Sequence, residues 1–241
     1  MWTPTALASE LRQWRGEGWR VVEAQHRIST NRLADSAEDQ HRLELLADAV
    51  KPEIPAEARG LHYLLASPFR YGHRSESRFR GADERPGIFY AAEAEATAIA
   101  ETAYWRLRFF VRSPGFVPPA TTSEHTSFTV AIATAHMIDL TVSPFDRDAA
   151  DWTNPTDYEP CQDLATAARE ARVELIRTQS ARDPAAGCNL VVLAPAAFAS
   201  PDPVIRRTWH LRFEGGRLAA LAAFPGEERF VFMASQFGLT G

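Results

Sequence analysis

The residues of this chain that could do chemistry are concentrated between Phe69 and Trp105. A polar loop with several arginines (residues 72–83) is followed by a short apolar run that ends in Tyr90, and then by a helical run that carries Glu101. Glu101 shares a helix face with aromatic residues three and four positions further along. Burying a carboxylate against aromatic rings is costly unless it has a partner. Glu101 therefore either belongs to a site or lies at the edge of the apolar stripe and reaches solvent.

The sequence lacks the short motifs of several common classes of enzyme. It has no G-x-G-x-x-G, Walker A, H-E-x-x-H or G-x-S-x-G motif. The histidines are scattered without metal-ligand spacing, and the two cysteines, Cys161 and Cys188, form no C-x-x-C pair. We therefore expect no bound metal and two reduced thiols, and a bound nucleotide would not use a glycine-rich helix entry.

Composition and charge restrict the partners that the chain can bind. Hydrophobic residues make up 45% and charged residues 24% of the chain, an ordinary globular balance, and the net charge is -5. Nucleic-acid binding needs a concentrated excess of Lys and Arg, so the acidic balance argues against direct nucleic-acid binding. The sequence shows neither a signal peptide nor an apolar run long enough to span a bilayer, which predicts a cytoplasmic protein without a membrane partner.

The first part of the chain is predicted to be helical. Leu7, Leu11 and Trp14 fall at helical spacing, and residues 42–50 form a second helical run. Residues 51–60 hold two prolines and a closing glycine, which is typical of a connector. These patterns divide the chain into a helical N-terminal segment (residues 1–55) and a second unit (residues 56–241).

The second unit is predicted to be rich in strands. Short apolar or alternating runs indicate strands, and two longer runs indicate helices. The strand candidates are residues 61–65, 87–90, 126–134, 136–140, 173–178, 189–193, 208–213, 218–224 and 229–234, and the helix candidates are residues 91–109 and 161–171. Gly215 and Gly216, between the strand candidates 208–213 and 218–224, predict a hairpin turn. Because strands and helices do not alternate regularly, the expected fold class is α+β rather than a doubly wound sheet.

The stretch FRYGHRSESRFRGADERPGIFYAAEAEATAIAETAYW resembles the RES domain, a family named for an arginine, a glutamate and a serine. In that family a strand ends in tyrosine and a helical glutamate follows eleven residues later, which is the spacing of Tyr90 and Glu101. The family usually has a G-G-R-W-N segment upstream. Residues 77–79 take its place here, so that Arg78 is the best match and Arg80 is the alternative.

The resemblance extends to further positions and covers roughly residues 61–193. The family has an arginine at the end of its first strand, often in a Y-R-Y-like string, and Arg70 followed by Tyr71 is the match. The family serine falls at Ser180, between two strand candidates. The stretch DYEPCQDLATAARE resembles a W-x-x-C-Q helix that some members have.

The resemblance implies an ADP-ribosyltransferase-like fold, a split, strand-rich body with the substrate NAD+ in a central cleft. Cleavage of the nicotinamide–ribose bond passes through an oxocarbenium-like state, which the carboxylate of Glu101 would stabilise. Arginines would bind the pyrophosphate, because their planar, always-charged groups donate two hydrogen bonds at once. The resemblance implies catalytic roles for Glu101, Arg78 and Tyr90, and roles in binding NAD+ for Arg70, Tyr71, Arg78, Tyr90 and Ser180.

The resemblance also implies a biological context, a bacterial toxin–antitoxin system. Members of the family degrade NAD+ or attach ADP-ribose to a target, and an antitoxin, often one that binds DNA, silences them. For this chain the acceptor stays open between water, phosphate and a target protein. The alternative hypothesis is a non-catalytic RES-like binding module that acts only through its partner protein. A DNA-binding repressor is disfavoured, because no clear helix-turn-helix is present.

Overall fold

The computed structural model of the chain describes residues 2–24, 36–72, 74–113, 115 and 122–239. Its fold class is α+β, which confirms the prediction. The helices of these ranges are α1 (Pro4–Ser9), α2 (Ala37–Ala49), α3 (Tyr63–Arg70), α4 (Glu95–Val111), α5 (Ala149–Trp152) and α6 (Glu159–Glu170). The strands are β1 (Arg12–Glu23), β2 (Phe89–Ala92), β3 (Ser123–Asp139), β4 (Leu175–Gln179), β5 (Cys188–Val192), β6 (Val204–Glu214), β7 (Arg217–Ala222) and β8 (Arg229–Met233). None of the helices in these ranges is both long and apolar enough to cross a membrane.

The 17-residue strand β3 organises the sheet. It pairs antiparallel with β1 on one side, while β6 pairs with its first half and β4 runs parallel to its last residues. β4 pairs with β5, β5 pairs with β2, and β2 meets β1 where Ala92 lies opposite Trp19. The pairings of β1, β2, β5, β4 and β3 thus form a closed ring, and β6, β7 and β8 extend the sheet beyond it.

Helix α4 forms because its sequence is alanine-rich and free of glycine and proline. One face is apolar and packs against β6 and β7, where Trp209 and Leu218 belong to the same buried cluster as Ile99 and Leu107. This packing fixes the rotation of the helix about its axis. As a result, Glu101 lies on the side of α4 that faces the ends of β4 and β5.

The prediction of a helical N-terminal segment is wrong for residues 12–23, which form β1. Helix α1 already ends at Ser9, so Leu11 and Trp14 are not helical. The physical reason is tertiary, because β3 offers β1 a partner along its whole length, and long-range pairing overrides a short run of helical spacing. The helix predicted at 42–50 is confirmed as part of α2, whereas residues 25–35 of the predicted segment lie outside the described ranges.

Two further predictions differ from the structure, and one turn is confirmed. The strand expected at residues 61–65 is instead the start of α3, and the two strands expected between 126 and 140 are the single strand β3. The hairpin is confirmed, because Gly215 and Gly216 connect β6 to β7 with φ values of 58° and 76°. Both values are in the left-handed region that favours glycine and that tight hairpin turns require.

Candidate active site

A cleft of about 430 Å³ lies where β1, β2, α4 and the arginine-rich loop meet. Its volume is within the usual range for sites that bind small molecules, roughly 300–1,000 Å³. Several polar side chains from distant parts of the chain share its walls. Among them are Arg20, Arg78, Tyr90, Glu101, Arg182 and Asn189.

The carboxylate of Glu101 is half-buried and hydrogen-bonded at the cleft wall. The hydroxyl of Ser180 donates to its Oε1 over 2.6 Å, and the side-chain amide of Asn189 donates to the same oxygen over 2.5 Å. Two donors on one oxygen hold the plane of the carboxylate. Glu101 thus has the partners that a carboxylate needs in such surroundings.

Ser180 supports Glu101 rather than lining the cleft itself. It follows the end of β4, and its Oγ accepts hydrogen bonds from the backbone nitrogens of Arg182 and Asp183, each over 3.0 Å. Thr97 of α4 in turn donates to the carboxylate of Asp183 over 2.7 Å. Gly187 allows this contact, since a Cβ there would lie 2.2 Å from Thr97 Oγ1. The loop after β4 is therefore locked to the helix that carries Glu101.

Tyr90 lies on β2, and its side chain joins the cleft to the arginine-rich loop. Its hydroxyl lies 2.9 Å from Ser77 Oγ and accepts from the backbone nitrogen of Phe79 over 3.1 Å. Burial raises the pKa of the Tyr90 phenol, and these hydrogen bonds oppose the rise. Because the hydroxyl is engaged with the loop, the ring is the part of Tyr90 that can meet a ligand.

Arg78 and Arg80, the two candidates for the family's loop arginine, both line the cleft. Arg78 donates to the carbonyls of Trp152 and Gln179 over 3.1 and 2.9 Å, and Arg80 donates to the carbonyl of Ser75 over 2.7 Å. Both are buried polar side chains. The structure thus brings both arginines to one cleft.

Helix α6 holds the arginine-rich loop in place. The side-chain amide of Gln162 donates to the carbonyl of Ser77 and to the carboxylate of Glu76, both over 3.1 Å. Gln162 belongs to the stretch that resembles the W-x-x-C-Q helix. Its position gives that stretch a structural task, which is to anchor the loop that carries Arg78.

Arg20 and Arg182 also line the cleft, and neither was predicted from the sequence. Arg20 of β1 donates to the carbonyl of Tyr90 over 3.2 Å and lies 4.6 Å from the ring centre of Phe89. Burial lowers the pKa of Arg20 to about 10, so it remains charged at neutral pH. The run Gly-Trp-Arg-Val-Val around Arg20, rich in aromatic and β-branched residues, is the strand signal that could have indicated it.

Arg182 lies just after the Ser180 turn and is 7% exposed. It donates to the carbonyl of Pro155 over 2.6 Å and to the hydroxyl of Tyr158 over 2.8 Å. Its guanidinium carbon also lies 3.7 Å from the ring centre of Tyr104. Nothing in the local sequence marked this arginine, because its neighbours come from α4 and from the chain before α6.

Arg70 and Tyr71, which were expected to bind NAD+, are not among the residues that line the cleft. Arg70 ends α3, where its Nε donates to the carbonyl of Pro52 and its guanidinium carbon lies 5.9 Å from the Tyr71 ring centre. The physical reason is that residues 61–65 do not form the first strand. The first strand is β1, and Arg20 near its end is the arginine that reaches the cleft.

The cleft is lined by two carboxylates, those of Glu76 and Glu101, and by four arginines. Arg20, Arg78 and Arg182 bond to backbone carbonyls, a phenol and aromatic rings, so these contacts do not neutralise their charge. Desolvated cations favour an anionic ligand, and arginine suits phosphate groups in particular. Across the described ranges, no group of three or more His, Cys, Asp or Glu side chains could hold a metal ion.

Comparisons with known proteins identify the family of the chain. The sequence model of the RES domain matches residues 54–214, more than half of the chain, while Arg20 lies before the matched region. Among solved structures, a chain of the M. tuberculosis MbcT–MbcA toxin–antitoxin complex is similar, with a TM-score of 0.45 and 16% identity, over 86% of this chain and 92% of that one. No curated protein matches the chain. The match over residues 54–214 shows that the chain belongs to the RES domain family.

Proposed function

We propose that this chain is the toxin of a bacterial toxin–antitoxin system, and that it cleaves the nicotinamide–ribose bond of NAD+ and transfers ADP-ribose to an acceptor. The observation that carries the proposal is the fixed carboxylate of Glu101 in a cleft where Arg20, Arg78 and Arg182 have neutral partners. Membership of the RES domain family supports NAD+ as the substrate.

The arginines bind the pyrophosphate in this proposal. Arg20 and Arg78 approach the cleft from β1 and from the arginine-rich loop, with Arg182 on a further wall. Each guanidinium presents planar donors that can contact two phosphate oxygens at once. Arg20 takes the part that the resemblance gave to Arg70, because Arg20 lines the cleft and Arg70 does not.

Glu101 stabilises the positive charge that develops on the ribose. As the bond between C1′ and the pyridinium nitrogen breaks, its electron pair leaves with neutral nicotinamide, and the ribose becomes an oxocarbenium-like cation. A preorganised carboxylate stabilises that cation more than it stabilises bound NAD+, which lowers the barrier. The oxygen of Glu101 that faces the cleft can also accept a hydrogen bond from a ribose hydroxyl. The aromatic ring of Tyr90 packs beside the nicotinamide half.

The acceptor completes the reaction when one of its lone pairs forms the new bond to C1′ and it releases a proton. Water would give free ADP-ribose, phosphate would give a phosphorylated ADP-ribose, and a target protein would carry the label itself. The proposal includes all three acceptors, and the mass of the product identifies which one reacts.

The proposal also predicts an antitoxin partner. An enzyme that consumes NAD+ harms the cell that makes it, so a co-encoded protein, of the DNA-binding kind that is frequent in such systems, is expected to occlude the cleft. Wild-type protein expressed alone should therefore arrest growth, and Glu101→Gln should relieve the arrest. Normal growth with abundant active wild-type protein would argue against the role as a toxin.

The decisive experiment incubates the purified protein with NAD+, with and without phosphate and with cell extract, and separates the products by mass. Nicotinamide release should be strong in wild type and should fall at least about 100-fold in Glu101→Gln, since an electrostatic group at the reacting centre is removed. Glu170→Gln, at an exposed glutamate at the end of α6, is the matched control and should keep the wild-type rate. A folded wild type, freed of any partner, that releases no nicotinamide would contradict the proposal and favour the non-catalytic binding module.

A further inference from the structure

Asn189 is a buried residue whose side chain joins the core of the fold to Glu101. It lies on β5, opposite Ala92 of β2 and Thr178 of β4, and is 4% exposed. Its side-chain amide lines the cleft and donates to Oε1 of Glu101 over 2.5 Å. With a strand on each side, the backbone of Asn189 is held firmly.

The buried amide oxygen of Asn189 destabilises the fold. Oδ1 is buried, and within the described ranges it has no hydrogen-bond partner. A buried polar atom without a partner destabilises a protein, so an apolar side chain of the same shape would suit the fold better. Reversing the amide would give no relief, because Oδ1 would then face the carboxylate of Glu101 as a second acceptor. The orientation of the amide is therefore explained by the hydrogen bond that Nδ2 donates to Glu101.

The two donors to Glu101 converge on a single oxygen. Ser180 Oγ and Asn189 Nδ2 both bond to Oε1, whereas no residue of the described ranges donates to Oε2. Two bonds from different strands' ends prevent the carboxylate from rotating. They also leave the lone pairs of Oε2 available to a ligand in the cleft.

The geometry points to Asn189 as a positioning residue, which together with Ser180 holds Oε1 of Glu101 and so makes Oε2 the oxygen that meets the ribose of NAD+. The inference rests on the proposed function and adds to it which carboxylate oxygen acts and what selects it. Asn189 acts through Glu101 and need not touch the substrate.

Replacement of Asn189 by leucine separates a positioning role from a structural one. Leucine has the same branched shape but neither the donor nor the buried oxygen. We expect kcat for nicotinamide release to fall roughly 10- to 100-fold, because a displaced reacting group loses alignment, while KM for NAD+ stays within about twofold. The thermal midpoint should stay at or above that of wild type. A merely structural role would lower the thermal midpoint and leave the kcat of the folded fraction unchanged.

A matched control and a double variant sharpen the test. Thr178→Val removes another buried polar group, directly across from Asn189 on β4, without touching Glu101, and should keep the wild-type kcat. In the Glu101→Gln background, adding Asn189→Leu should cause no further loss, because the residue acts through that carboxylate. If adding Asn189→Leu lowered the kcat of Glu101→Gln by the same factor as it lowers that of wild type, Asn189 would not act through Glu101.

Asn189→Ala keeps the inference testable if the leucine variant fails to fold, and it should show the same loss of kcat. Wild-type kcat in either folded variant would overturn the inference and leave the proposed function intact. An inactive wild type would overturn the proposed function and the inference with it.

Discussion

The hydroxyl of Ser180 donates to Oε1 of Glu101 over 2.6 Å, although the two residues are 79 positions apart in the sequence. The same hydroxyl accepts hydrogen bonds from the backbone nitrogens of Arg182 and Asp183. One side chain therefore closes the turn after β4 and fixes the carboxylate on α4. Ser180 therefore couples the conformation of the turn to the position of the Glu101 carboxylate.

Replacement of Ser180 by alanine should reduce both stability and activity. The turn loses the acceptor of two backbone N–H groups, which should cost about 1–3 kcal/mol of the free energy of unfolding. Glu101 loses one of two donors, so nicotinamide release should fall roughly tenfold or more. Urea titration and the nicotinamide assay measure the two effects.

Ser200→Ala is the matched control for that variant. Ser200 also accepts a hydrogen bond from the backbone nitrogen two residues on, at Asp202, but it does not line the cleft. Its loss should lower stability without changing the rate of the folded protein. Equal effects of the two alanine variants on the rate would contradict the link between Ser180 and Glu101.

Replacement of Arg20 by glutamine should weaken NAD+ binding more than the same change at Arg70. Arg20 lines the cleft, whereas Arg70 bonds to Pro52 outside it. Loss of a charged donor to phosphate costs about 1.5–3 kcal/mol, so KM should rise roughly 10- to 100-fold in Arg20→Gln. Arg212→Gln, at an exposed arginine of β6, is the control for the loss of one positive charge. A larger rise of KM in Arg70→Gln would restore the role that the resemblance gave to Arg70.

The stability of the protein should fall with acidification because of His125. This histidine of β3 is 1% exposed; burial, followed by the positive charge of Arg106, lowers its pKa to about 4, although Glu23 opposes the shift. The unfolded chain takes up a proton below about pH 6.5, whereas the folded chain does so only near pH 4. The contribution of His125 to the free energy of unfolding is therefore complete above about pH 6.5 and is lost as the pH falls towards 4.

Unfolding in urea at two pH values tests this expectation. Between about pH 8 and pH 5, His125 should account for roughly 2 kcal/mol of the loss in the free energy of unfolding. His125→Gln should remove that part of the pH dependence, whereas His210→Gln on the neighbouring strand should keep it. An unchanged slope in His125→Gln would show that other groups set the pH dependence.

Removal of residues 2–23 should prevent folding. The deletion takes away β1, which pairs with β3 along its length and closes the ring of strands. It also removes Arg20 from the cleft and exposes a long edge of β3, which favours aggregation. Circular dichroism and size-exclusion chromatography should show a non-native, aggregating chain. A monomeric truncated protein that unfolds cooperatively would mean that the fold does not depend on β1.

Features that depend on neighbours in the sequence could be predicted. The helical run with Glu101, the strand that ends near Tyr90 and the hairpin at residues 215–216 are all encoded by local composition and spacing. For Glu101, physics alone gave two alternatives, a partner in a site or contact with solvent, because its helix face is aromatic. The structure supplies that partner from Ser180, which the resemblance had singled out, and from Asn189, which nothing had indicated.

Features that depend on distant pairing could not be predicted. The spacing of Leu7, Leu11 and Trp14 fits a helix, and the sequence alone does not show that β3 will pair with this stretch more than a hundred residues later. Arg20 was missed for that reason. Residues 61–65 present the opposite error, since a short apolar run fits a buried strand and a helix equally well. Because of that ambiguity, Arg70 was matched to the arginine that the family has at the end of its first strand, although Arg20 of β1 holds that place in the structure.

The closed ring of strands has a consequence for the chain while it is being translated. β1 leaves the ribosome long before its partners β2 and β3, and Asn189 of β5 follows later still. Contacts between such distant parts of a chain form slowly, since a large loop must close before any pairing stabilises it. A nascent chain shorter than about 190 residues therefore lacks a complete cleft. An interrupted translation product that stops before Asn189 therefore lacks one wall of the cleft and one of the two donors to Glu101.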